Sequence, residues 1–84
     1  MENCLITFRS VTPAQRADIL LRRSGFKCSL RRTPRWMEER GCGYCLRVRP
    51  VDAPGAVAQL RAEHIGFSKV FAVNGKSGAE EVTL

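Results

Sequence analysis

Residues 44–67 read YCLRVRPVDAPGAVAQLRAEHIGF, and this stretch decides the fold. Its opening alternates: Tyr44, Leu46 and Val48 point one way, and Cys45, Arg47 and Arg49 the other, the period of a half-buried strand. From Asp52 the period lengthens to that of a helix. Asp52 is placed as N-cap, Val57, Leu60 and His64 share one stripe, and Gly66 is placed as the stop. Sliding the chain by 41 residues lays the stretch over NCLITFRSVTPAQRADILLRRSGF, residues 3–26. Cys45 then falls on Cys4, Leu46 on Leu5, Pro54 on Pro13, Ala58 on Ala17, Gly66 on Gly25 and Phe67 on Phe26. Strand start, helix start and helix stop recur in step, so the chain reads as two equivalent strand–helix units.

Working outward from these units completes the order. Cys4–Phe8 is an apolar, β-rich first strand. In the helix that follows, Thr12 is placed as N-cap with Gln15 three residues on as in a capping box, and Pro13 suits the first helical position. Ala14, Ala17, Leu20 and Leu21 form its apolar face, and Gly25 ends it. FKCSLRR, residues 26–32, alternates as a second strand with Phe26, Cys28 and Leu30 inward, and SKVFAV, residues 68–73, is the fourth. The βαββαβ order predicts an α+β, ferredoxin-like sandwich: a four-stranded antiparallel sheet with both helices on one face. Residues 1–74 form a single domain on this reading, and 75–84, rich in Gly and charge, a flexible C-terminal tail. The helix-free face would carry Cys45, Arg47 and Arg49, with Phe71 and Val73 added if the register allows.

Composition narrows the function classes. A chain of 84 residues buries a modest core, which favours a surface patch or loop over an interdomain cleft. No apolar run approaches the ~20 residues of a membrane span, and the first residues lack a secretory pattern, so the expected location is cytoplasmic. In that compartment the four cysteines, Cys4, Cys28, Cys42 and Cys45, read as buried thiols plus at most one reactive site. One close pair and a lone His64 do not make a zinc site, so no metal or other cofactor is expected. The net charge of +6 permits an anionic partner without choosing one. Specific RNA binding is disfavoured, because the third strand offers Cys45, Arg47 and Arg49 where RNA-recognition modules place stacking aromatics. A lone His64 on an apolar stripe offers no catalytic triad, and no glycine-rich phosphate loop follows a strand.

The loop between the second and third strands, TPRWMEERGCG at residues 33–43, holds the remaining signal. With Tyr44 and Cys45 it contains C-G-Y-C, the spacing of a redox dithiol. Such centres gain reactivity when the first cysteine opens a helix; here the pair enters a strand. The chain resembles the selenium/sulfur-carrier-like family, small bacterial domains of unassigned function, from about Cys4 to Val73. The resemblance rests on "ITF" in the first strand, the helix ending in "GF", "TPR" (Thr33, Pro34, Arg35) and "GCG" (Gly41, Cys42, Gly43). It implies one working thiol at Cys42, and it does not require Cys45.

A chalcogen carrier needs an exposed thiolate that accepts sulfur or selenium as a persulfide or selenopersulfide and passes it on. Gly41 and Gly43 would leave Cys42 uncrowded, and Arg35, Arg40 and Arg47 would favour its thiolate, against Glu38 and Glu39 nearby. The expected role is a carrier or delivery protein with protein donors and acceptors, more accessory protein than turnover enzyme, with Cys45 as a less favoured second thiol. The alternatives are a noncatalytic interaction module and a weak RNA-binding domain. Trp36, Met37 and Arg49 are the candidate partner contacts, and the open sheet face is a candidate homodimer surface.

Overall fold

The computed structural model describes residues 2–33, 43–74 and 78–82. Its elements are β1 (Glu2–Phe8), α1 (Val11–Arg23), β2 (Cys28–Arg32), β3 (Tyr44–Val48), α2 (Ala53–Ala62), β4 (Val70–Asn74) and β5 (Gly78–Val82), with a short 3-10 turn, Pro50–Asp52, leading into α2. The strands form one antiparallel sheet in the order β2-β3-β1-β4-β5.

The sequence explains which strand lies where. Cys4, Leu5, Ile6, Thr7 and Phe8 are all buried, so β1 has no face to give to water and takes the middle of the sheet. Its end is tied to the start of β4 by the Thr7 hydroxyl, which donates to the Lys69 carbonyl at 3.2 Å and accepts from the Lys69 N–H at 3.0 Å. The two edge strands carry charge instead. β2 ends in exposed Arg31 and Arg32, and β5 contains exposed Glu80 and Glu81, which discourages like edges from pairing.

Both helices cover the same face. Ala14, Ala17 and Leu21 of α1 and Ala53, Ala56, Val57 and Leu60 of α2 form one cluster with Cys4, Ile6, Phe8, Leu46, Val48 and Val70. Complete burial of each large side chain here, such as Leu21 or Leu60, contributes roughly 1.5–3 kcal/mol. Gln59 Nε2 donates to Ser24 Oγ at 3.1 Å, joining α2 to the end of α1. On the opposite face Leu5 and Cys45 are buried with Phe71 and Val73 packed against them, so this helix-free side has its own small apolar patch.

Several expectations are corrected. The sheet has five strands rather than four, because Gly78–Val82, expected in a tail, pairs with β4 and sets Val82 against the core. Asn74-Gly75 directly after a β-rich stretch is a hairpin signal, and read that way it points to a fifth strand. Helix α1 begins at Val11 with Ser10 as N-cap and no side-chain capping bond, so the Thr12–Gln15 box is not formed. Helix α2 ends at Ala62, and exposed His64, not Gly66, takes the left-handed backbone (φ 56°), so His64 leaves the apolar stripe. The same closure ends both helices: Phe26 N–H donates to Leu21 O, and Ile65 N–H to Leu60 O, each at 2.9 Å. In the first it is Gly25, at φ 90°, that supplies the left-handed turn. The matching pairs, Leu21 with Leu60 and Phe26 with Ile65, are 39 apart, not 41. In the strands the offset of 41 is odd with respect to facing. Cys4 points to the helices and Cys45 to the other side, so the two are not structural equivalents.

Candidate functional site

The cysteines separate by environment. Cys4 is 6% exposed in the core beneath the helices. Cys28 on edge strand β2 is half-buried, and its thiol donates to Asp18 Oδ1 at 3.2 Å. Burial and that carboxylate push its pKa up to about 11. The Asp18 carboxylate also accepts from Arg22 Nε at 2.9 Å. Cys45 is 1% exposed on the helix-free face, and burial pushes its thiol up as well, with partial relief from the Thr33 hydroxyl and the Arg31 guanidinium. Cys28 and Cys45 are therefore not low-pKa thiols, and Cys4 is not an exposed one. Cys42 lies outside the described residues, as do Arg35, Trp36, Met37, Arg40 and Gly41.

What is described is the mouth of the loop that holds them. Gly43 O accepts the Thr33 N–H at 3.0 Å, which closes the β2–β3 hairpin directly below the loop. Thr33 is buried there, and its hydroxyl makes no hydrogen bond of good geometry among the described residues. A methyl group built at Gly43 would meet nothing within 4 Å. From this mouth the rungs run downward: Arg32 opposite Tyr44, Arg31 opposite Cys45, Leu30 opposite Leu46, Ser29 opposite Arg47. The Arg32 guanidinium covers the Tyr44 ring at 5.3 Å on the helix side.

On the helix-free side, Asn3, Leu5, Arg31, Cys45, Arg47 and Val73 line a shallow groove of about 230 Å³. Arg47 Nε donates to Asn3 Oδ1 at 3.2 Å, which fixes one guanidinium at the groove wall. Arg49, read as a partner contact, donates from Nε to Asp52 Oδ2 at 2.8 Å. That pairing also occupies the carboxylate expected to cap α2, and Asp52 makes no side-chain capping bond. At the far edge Lys69 Nζ meets Glu81 Oε1 at 3.5 Å.

Sequence reasoning named Arg47 and Cys45 but missed Asn3, Leu5 and Arg31 as their neighbours. Alternation alone puts Arg31 on this face; only the register puts it beside Cys45. Among the described residues no helix is long and apolar enough to cross a membrane, and no group of three or more His, Cys, Asp or Glu side chains is placed to hold a metal.

No curated protein matches the chain, and no solved structure does. A family model matches residues 3–72, a span that runs from β1 into β4 and includes the Thr33–Gly43 mouth and the GCG motif. The chain therefore belongs to the family described as "Putative Se/S carrier protein-like".

Proposed function

We propose that the chain carries sulfur or selenium on the Cys42 thiolate, on a ferredoxin-like core to which β5 is an addition. The observation that supports this most is the contrast among the cysteines. Within a domain of carrier-like family, Cys4 and Cys45 are buried, Cys28 is held protonated by burial and by Asp18, and each therefore makes a poor acceptor. That leaves Cys42, between two glycines and next to the open Gly43 position.

The step needs no external oxidant or reductant. The Cys42 thiolate attacks the outer sulfur of a donor persulfide, the donor S–S bond breaks, and the donor leaves as a thiolate. Delivery is the same exchange run toward an acceptor thiolate. A selenium atom in the outer position follows the same course.

Mapping adducts by peptide mass spectrometry tests the reading. The reduced protein is incubated with a cysteine desulfurase and its substrate, then alkylated and digested. The expected result is an adduct at Cys42 that disappears in Cys42→Ser and persists in Cys45→Ser and Cys28→Ser. Uptake that is slow and equal at every accessible thiol would sink the proposal.

A further inference from the structure

The groove on the helix-free face has an unusual electrostatic balance. Among the described residues, the exposed cations Arg31 and Arg47 have no acidic partner, and neither does Lys27 beside them. The described acids that form ion pairs are used elsewhere: Asp18 on Arg22, Asp52 on Arg49, Glu81 on Lys69. Beside these two guanidiniums the floor is apolar, made by Leu5, Cys45 and Val73. Arginine forks without a carboxylate partner, beside an apolar floor, suit a carboxylate-bearing chain that also presents an aliphatic side chain.

We infer that this face docks an acidic, extended segment of a partner protein, with its carboxylates on Arg31 and Arg47 and an apolar side chain over Leu5 and Val73. The groove adjoins the hairpin mouth, since Cys45 of β3 lies two residues from Gly43, so a segment bound there arrives beside the Thr33–Gly43 closure. The inference rests on the carrier reading for why a partner docks at this end, and deepens it by naming the partner's chemistry. A nucleic-acid strand fits less well. Phe71 is the one described aromatic on this face, so the described residues offer no row of rings for successive bases to stack on.

The test is a titration of isotope-labelled protein by NMR in about 0.15 M salt, where nonspecific attraction is screened. The probes are a blocked hexapeptide of alternating Glu and Val, its Lys and Val counterpart, and an oligouridylate. Expected are shifts at the amides of Leu5, Arg31, Cys45, Arg47 and Val73 with the Glu peptide alone. Arg31→Gln with Arg47→Gln should weaken binding about tenfold or more, Arg47→Lys should weaken it less, and Arg16→Gln with Arg23→Gln on α1 should leave it unchanged. The inference is overturned if the Glu peptide leaves these amides unmoved, if the α1 variants lose as much binding, or if the Lys peptide or oligouridylate binds the same residues as tightly. Failure here is separable from failure of the carrier reading. Cys42→Ser should dock the peptide normally, and Arg31→Gln alone, which removes one docking cation, should still take up sulfur from a small-molecule persulfide.

Discussion

Reaction of the native protein with an aromatic disulfide reagent near pH 8 should resolve the cysteines in a fixed order: Cys42, then Cys28, then Cys4 and Cys45. Cys28 carries the quantitative part. A thiol at the ordinary value of 9.0 is about one-tenth ionised there, and one raised to about 11 only about one-thousandth, a hundredfold loss of thiolate. The more basic thiolate is the better nucleophile, and a Brønsted slope of about 0.4–0.5 returns roughly six- to tenfold of that loss. Cys28 should therefore react about ten- to fifteenfold slower than an unstructured cysteine. Cys4 and Cys45 must wait for opening; an opening cost of about 4 kcal/mol slows them roughly a thousandfold.

The control is Asp18→Asn, which removes the carboxylate that accepts the Cys28 proton and leaves Arg22 without its partner. Both changes favour the thiolate, so Cys28 labelling should accelerate toward the ordinary rate while Cys4 and Cys45 stay slow. Peptide mass spectrometry at timed quenches reads each site separately. Labelling of Cys28 at the rate of an unstructured thiol, indifference to Asp18→Asn, or modification of Cys45 ahead of Cys28 would refute the reasoning.

Alkali should destabilise the fold through Cys28. The folded chain holds that proton more tightly than the unfolded chain, so its stabilising contribution is complete below about 9 and is lost as pH rises through about 11. Thermal melts should show a decline in Tm across that window that is shallower in Cys28→Ala, each protein being compared with itself near pH 8; parallel curves would argue against the linkage. The two helix ends should respond with opposite signs. Gly25→Ala places a side chain at φ 90° and should cost about 1–2 kcal/mol, whereas His64→Gly relieves a side chain at φ 56° and should gain up to about 1 kcal/mol by urea denaturation. Leu21→Ala, which empties a fully buried site, should cost about 2–5 kcal/mol in the same assay. Gly43→Ala meets open space, so its stability should stay within about 0.5 kcal/mol of the parent. A drop in Cys42 sulfur uptake in that variant then reports on access at the loop mouth rather than on folding.

Much of this architecture is legible from periodicity, because burial on one face imposes a period that composition cannot hide. Leu46 and Val48 against Cys45 and Arg47 gave the facing of β3 correctly, and Ala14, Ala17 and Leu21 gave the buried stripe of α1. Periodicity fails where the backbone supplies what a side chain was expected to supply. The end of α2 closes through the Ile65 N–H on Leu60 O, and a histidine takes the conformation that glycine residues favour, so Gly66 misleads. β5 was hidden for another reason: its Glu80 and Glu81 are an edge strand's defence against aggregation, and the same charges make a segment look like a tail. The pairing of Arg31 with Cys45, which shapes the groove, depends on register and so has no signature within either strand alone.

Register also bears on the C-G-Y-C spacing. A dithiol centre needs both sulfurs available to one another and to a partner. Cys45 sits on β3, which is hydrogen-bonded to β1 on one side and β2 on the other, opposite Thr7 and Arg31. Its side chain cannot be released by moving the backbone unless two ladders give way, and a one-residue slip would turn Leu46 and Val48 out of the core and Cys45 in beneath the helices. Cys45 is also packed with Leu5, Phe71 and Val73, so exposing the thiol opens the apolar floor of the groove. The groove and a working dithiol therefore make opposing demands on the same residue: the first requires Cys45 to remain in the floor, the second requires it to leave. With a thiol held protonated by burial, the floor is the role its chemistry suits. On this argument Cys45 belongs to the floor of the groove, and Cys45→Val, which keeps that floor apolar, should preserve both sulfur uptake at Cys42 and binding of the Glu peptide.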